Sequence, residues 1–113
     1  MSHYADPSDA DYTRVYKSET PEMLKAFLAF DRAVFAPEGT ALSLKHRELI
    51  AVAVALTTQC SYCIEAHTQN AVAAGATQQE IAETSWVAAA IRAGGGFAHG
   101  RMAFKFAEHA HAV

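Results

Sequence analysis

Apolar residues recur at helical intervals along most of the chain, and polar residues mark where each run starts and stops. From residue 21, Met23, Leu24, Phe27, Leu28, Phe30, Val34 and Phe35 form a broad apolar face. Thr20 stands at the capping position before it, Pro21 at the first helical position, and Glu22 near the positive end of the dipole; Pro37-Glu38-Gly39 stops the run. Ser43 opens a second segment, in which Ile50, Val52, Val54 and Leu56 alternate with alanine. A strand shows that alternation too. A strand leading into Cys-x-x-Cys would suggest a thioredoxin-like sheet, but no second β-branched run of strand length exists to pair with it, so the segment is assigned to a helix ending at Thr57 or Thr58.

A third helix starts around the cysteines and runs to Ala74, with Gly75 as its C-terminal residue. Thr77-Gln78-Gln79-Glu80 has the capping-box pattern and opens a fourth, whose buried side is expected to hold Ile81, Trp86, Val87, Ala90 and Ile91. The triple glycine Gly94-Gly95-Gly96 is expected to interrupt it. A fifth helix then carries Phe97, Met102, Phe104 and Phe106 and frays over His109-Ala110-His111-Ala112-Val113. Residues 1–20 lack sustained periodicity and read as an arm, with room for one short turn, before a helical domain over 21–113. The fold class is all-α, a single-domain helical bundle of about five to six helices.

Composition narrows the class further. With 113 residues, 51% of them hydrophobic, and a formal charge of −3, the chain suits one globular domain. That charge gives no attraction to nucleic acid or to an acidic membrane surface. The start of the chain is polar, without the apolar core of a secretory signal, and the longest apolar run, 49–56, is far short of the ~20 residues that span a bilayer. A soluble, cytoplasmic protein is expected. Alanine-rich segments suit close helix packing, and so much apolar surface on so short a chain suits a homo-oligomer.

The chemistry concentrates in Cys60-Ser61-Tyr62-Cys63-Ile64-Glu65-Ala66-His67, which holds both cysteines of the chain. At about 3.6 residues per turn, Cys63 and His67 stand one turn apart and Cys60 falls within roughly 60° of both. A thiolate is the reactive form of cysteine, and a helix N-terminus or an adjacent base favours it. Two thiols and a base on one face form a dithiol/disulfide site. Two other readings use the same atoms: a pair of small buried hydrophobes, or three zinc ligands with Glu48 or His99 as a fourth. Haem attachment is excluded, because Ile64 rather than histidine follows Cys63.

Glu48 lies on the preceding helix and can face His67 if the two helices form an antiparallel hairpin. Within Lys45-His46-Arg47-Glu48 its spacing alone favours a solvated charge. His99, glycine-flanked near the last helix, reads first as a cap or core hydrogen-bonding partner and second as a pocket residue. His46 falls on the other side of its helix, and His3, His109 and His111 are terminal and solvated. The triple glycine lacks the lysine and hydroxyl residue of a phosphate loop.

Glu48, then Cys60-x-x-Cys63, then His67 resembles the motif of the alkylhydroperoxidase D (AhpD)-like group in the carboxymuconolactone decarboxylase family, and residues 42–86 are similar to that family's core. The resemblance implies an AhpD-like helical fold assembled as a homo-trimer or homo-hexamer. It also implies a disulfide-cycling pair in which Cys63 is the thiol nearest the relay, Cys60 its partner, and His67 and Glu48 move the proton. Tyr62 stands where the alkylhydroperoxidase proper carries histidine, which places Tyr62, with His99, among the surrounding residues rather than in the relay. The decarboxylase branch generally lacks the cysteine pair.

The implied activity is thiol-dependent hydroperoxide reduction, an antioxidant function. Thiolate attack on the O–O bond gives a sulfenic acid, the second thiol condenses with it, and exchange with a reductant restores the dithiol. The partners are a small hydroperoxide and a thiol or disulfide-reductase electron donor; no metal or organic cofactor is called for. A redox-sensing or metal-binding helical module and a decarboxylase-branch enzyme are the alternatives.

Overall fold

Three of the helices begin at residues whose side chains satisfy orphan amides: Ser43, Cys60 and Thr77. In the computed structural model, residues 5–112 are described; the first four residues of the expected arm, with His3, and Val113 lie outside them. A 3₁₀ segment, Pro7–Tyr12, leads into α1 (Thr13–Glu19), followed by α2 (Pro21–Val34), α3 (Leu44–Thr58), α4 (Ser61–Ala73) and α5 (Gln78–Ala112). No strand occurs among the described residues. The architecture is all-α.

The Ser43 hydroxyl accepts the His46 amide at 3.2 Å and starts α3. Gln59 ends it in the left-handed conformation, φ 57°, and the amides of Gln59 and Cys60 both turn back to the Ala55 carbonyl. That reversal leaves two residues between α3 and α4, which therefore pack as neighbours. Gly75, at φ 101°, closes α4 in a conformation that costs glycine little. Thr77 and Glu80 then cap α5 reciprocally, with bonds of 2.9 and 3.1 Å. Lys45 pairs with Glu80 at 2.8 Å. The Lys45 contact first, and the Thr77 amide second, hold the Glu80 carboxyl below its ordinary range.

α3 is central, packing against both α4 and α5. The buried residues at their junction are small: Val52, Ala55, Ala71 and Ala88. Small side chains let three helices approach closely. Arg92 adds a polar tie by donating to the Thr57 carbonyl at 2.8 Å, where the end of α3 has carbonyls to spare. α1 packs on α2, and this pair meets the rest through a few specific side-chain contacts.

Five expectations are corrected. The arm is helical over much of its length, as the 3₁₀ segment and α1. The Thr20 side chain does not cap α2: its hydroxyl donates backwards to the Tyr16 carbonyl at 3.1 Å. α2 stops at Val34, before the proline. The triple glycine does not interrupt α5, which runs unbroken for 35 residues. Glycine costs a helix roughly 1 kcal/mol per residue relative to alanine without blocking its geometry, and none of these three has positive φ. The helix also continues through His109 and His111 rather than fraying there.

The expected buried side of α5 is the larger correction. Trp86 is 74% exposed, and Val87, Ile91, Phe97 and Phe104 are exposed as well, because the face meeting α3 is the one carrying Ala88. Met23, Phe27 and Phe30 of α2 are exposed likewise. The chain has a radius of gyration of 19.2 Å, where a compact domain of this length has about 13 Å. Its accessible surface is 8982 Å², against about 6,000 Å² for a compact monomer of this mass. Among the described residues no helix is long and apolar enough to cross a membrane.

A Cβ built on Gly94 meets nothing within 4 Å, and its backbone is already helical. Gly94→Ala should raise unfolding free energy by about 0.5–1 kcal/mol in urea titration, through lost freedom of the unfolded chain. A loss of stability instead would show that something outside this chain occupies the space beside Gly94.

Candidate functional site

The only buried charge among the described residues is Glu48, 3% exposed, on the face of α3 that also presents Val52 and Ala55. These positions are spaced four and three residues apart, so they form one stripe along the helix. On α4, Cys60, Cys63, His67 and Ala71 repeat at intervals of three and four and form the facing stripe. The two-residue turn brings the stripes together, and Glu48 Oε2 meets His67 Nδ1 at 2.7 Å. A solvated Glu48 is thereby corrected: the carboxylate lies inside, paired. A buried carboxylate without such a partner would carry a desolvation penalty of several kcal/mol.

Cys60 and Cys63 are joined as a disulfide, with Cα atoms 5.3 Å apart. Cys60 is the N-cap of α4, and its sulfur accepts the Cys63 amide at 3.3 Å. The pair therefore sits at the positive end of the helix dipole, the position that favours a thiolate once the bond is reduced. His67 follows one turn later. Among the described residues no group of three or more His, Cys, Asp and Glu side chains is arranged to hold a metal ion.

Tyr62 is more than half exposed, and its hydroxyl donates to Asp9 Oδ2 at 2.5 Å, fastening the 3₁₀ segment to the start of α4. Asp9 also closes a capping box by accepting the Asp6 amide, while the backbone amide and hydroxyl of Ser8 hold the Asp6 carboxyl below its usual range. A hollow of about 280 Å³ beside this contact exposes Cys60, and a second of about 340 Å³ opens on Glu48 from the side of Phe35 and Asn70. His99 is not brought to the site: it is exposed and bonds the Gly95 carbonyl of its own helix at 2.9 Å. His46 turns outward to Ser43, at 2.7 Å.

Two contributors to the site escaped the sequence reading. The Phe35 ring stacks on His67, centroids 4.7 Å apart and planes inclined by 29°. Arg47 donates to three backbone carbonyls, those of Leu42, Val34 and Ala36. Phe35 gave no signal beyond belonging to an apolar run. Arg47 had only its place beside Glu48.

Residues 21–107 match the profile of the carboxymuconolactone decarboxylase family. Uncharacterised protein 4 of the cox locus of Paracoccus denitrificans is 51% identical over 78 residues, spanning 69% of this chain and 68% of that protein. The crystal structure of apo-lpg0406, a carboxymuconolactone decarboxylase family protein from Legionella pneumophila, superposes with a TM-score of 0.67 at 32% identity, covering 74% of this chain and 73% of that one. A protein from Methanobacterium thermoautotrophicum gives a TM-score of 0.69 at 34% identity, covering 77% of this chain and 98% of that one. With this fold, this profile match and the Glu48, Cys60-x-x-Cys63, His67 arrangement, the chain belongs to the carboxymuconolactone decarboxylase family as an AhpD-like member.

Proposed function

We propose that the chain is a thiol-dependent oxidoreductase that reduces hydroperoxides by cycling Cys60 and Cys63 between dithiol and disulfide. The observation that carries this reading is the buried Glu48–His67 pair, one helical turn from a disulfide at a helix N-terminus. A structural disulfide needs no base beside it. A reactive dithiol does, because a proton must leave the attacking thiol and another must reach the leaving alkoxide.

In the forward half-reaction, a thiolate sulfur attacks the terminal peroxide oxygen, the O–O bond breaks, and the alcohol departs with a proton from the relay. The sulfenic acid then condenses with the second thiol, releasing water and forming the Cys60–Cys63 bond. An external dithiol reopens it by exchange and leaves as a disulfide. Two electrons and two protons thus convert ROOH to ROH and water. Cys63 is assigned as the thiol nearest the relay, Cys60 as its partner, and His67, held by Glu48, as the proton carrier. The chemistry calls for no metal or organic cofactor, and its partners are a small hydroperoxide and a thiol or disulfide-reductase donor, in the cytoplasm.

The same proposal includes assembly as a homo-trimer or homo-hexamer. Its support is the surplus of accessible surface and the exposed apolar residues of α2 and α5, which a second copy would cover.

Hydroperoxide consumption coupled to a dithiol reductant should be lost in Cys60→Ser and in Cys63→Ser, and should fall by about 10²-fold in Glu48→Gln. Unchanged turnover in both serine variants would sink the proposal, and lactone turnover that survived them would favour the decarboxylase branch. In sedimentation equilibrium the wild-type chain should behave as three or six copies of its 12.1 kDa mass, and Phe104→Glu should shift it towards smaller species. A wild-type monomer would refute the assembly.

A further inference from the structure

We infer that Arg47 and Phe35 are positioning residues for His67, and that the α2–α3 connection exists in this form to orient the imidazole. The inference rests on the proposed proton relay and identifies what holds its carrier. The His67 side chain is 19% exposed, so enclosure alone does not immobilise it. Its bond to Glu48 fixes one edge of the ring through Nδ1. A single hydrogen bond still lets the ring tilt through small coupled changes in its two side-chain torsions. The stacked Phe35 ring removes that freedom by fixing the plane.

Phe35 can do this only if its own backbone is held. It is the C-terminal cap of α2: its amide makes the last helical bond, to the Asp31 carbonyl at 3.1 Å, and the chain beyond it is irregular. Arg47 supplies the restraint: Nη1 donates to Val34 O, Nη2 to Ala36 O and Nε to Leu42 O. The bonded carbonyls bracket Phe35 on both sides. They include the last residue of α2, where the helix dipole favours a cation. Arg47 forms no ion pair with any carboxylate among the described residues. Its charge and three of its donors are committed to shaping the connection. A guanidinium presents these donors in one rigid plane, and a lysine ammonium cannot reproduce that geometry.

Arg47 and Glu48 are consecutive on α3. One turn of that helix thus governs both coordinates of His67: Glu48 sets the ring edge directly, and Arg47 sets the ring face through Phe35. Phe35 is half-buried, and the ring it stacks on is the imidazole itself.

The test reads His67 without relying on turnover. Long-range ¹H–¹⁵N spectra of the reduced protein report the tautomer and ordering of the His67 ring, and iodoacetamide alkylation across pH reports thiol reactivity. Phe35→Leu and Arg47→Lys should each broaden or shift the His67 signals in a folded protein, while Phe35→Tyr keeps them. The two changes combined should do no more than the worse single one, since they act through one contact. Alkylation near neutral pH should slow by about three- to tenfold in both single variants, tracking the lost orientation of the base. Should Arg47→Lys fail to fold, Phe35→Leu still decides, because it leaves all three Arg47 bonds in place. Wild-type-like His67 signals in either folded single variant overturn the positioning role. Separately, His67→Asn with unchanged alkylation would overturn the relay, and the His67 signals of the other variants would still judge the positioning.

Discussion

A carboxylate that leaves water must find a partner, and in this fold Glu48 finds His67. That requirement ties α3 to α4 at one relative position. Sliding either helix by one residue would rotate its partner about 100° off the shared face and strand a charge in the interior. The apolar contacts along the same stripes, Val52, Ala55 and Ala71, are small and tolerate several arrangements. The pair therefore contributes register more than net stability. It also explains why the turn at Gln59 is so short: a longer loop would let the stripes slip.

The remaining contacts of the site are arranged around that pair in shells of decreasing rigidity. Cys60 is fixed covalently to Cys63 and by its capping bond. His67 is fixed at its edge and on its face. The outer wall, the 3₁₀ segment held through Asp9 and Tyr62, is an exposed polar contact of a kind worth little by itself. Rigidity is thus greatest where proton and sulfur chemistry is proposed and least where a substrate would approach.

What the sequence discloses follows from the range of each interaction. Ser43, Gly75 and the Thr77/Glu80 box act within a few residues, and each is legible as written. The Cys60, Cys63, His67 face is legible for the same reason, since helical periodicity alone makes it. Glu48 needs a tertiary hairpin to leave water, and its place in a charged cluster points instead to a solvated side chain. Phe35 and Arg47 lie further out of reach, because nothing local says that an irregular connection will return to a histidine thirty residues on. Trp86 and Ile91 fail differently: periodicity shows that a surface is apolar, not which partner covers it. The triple glycine misleads because its cost to a helix is a per-residue penalty and not a barrier, so a long helix absorbs it.

The position of Cys60 links stability to the oxidation state. As N-cap it must offer an acceptor to the Cys63 amide, and a disulfide sulfur is a weak one. In the oxidised chain the covalent bond itself holds the first turn of α4 closed, so a poor cap is tolerated. Reduction removes the tether, and it also creates the possibility of a thiolate at the same place. A thiolate is a charged acceptor at the positive end of a helix dipole, and so a better cap than the sulfur it replaces. Each state thus has its own means of keeping α4 wound, and His67, one turn in, keeps its place on the helix in both. A dithiol centre that lost its first turn on reduction would lose the orientation of its base when a thiolate must form, and this arrangement avoids that failure.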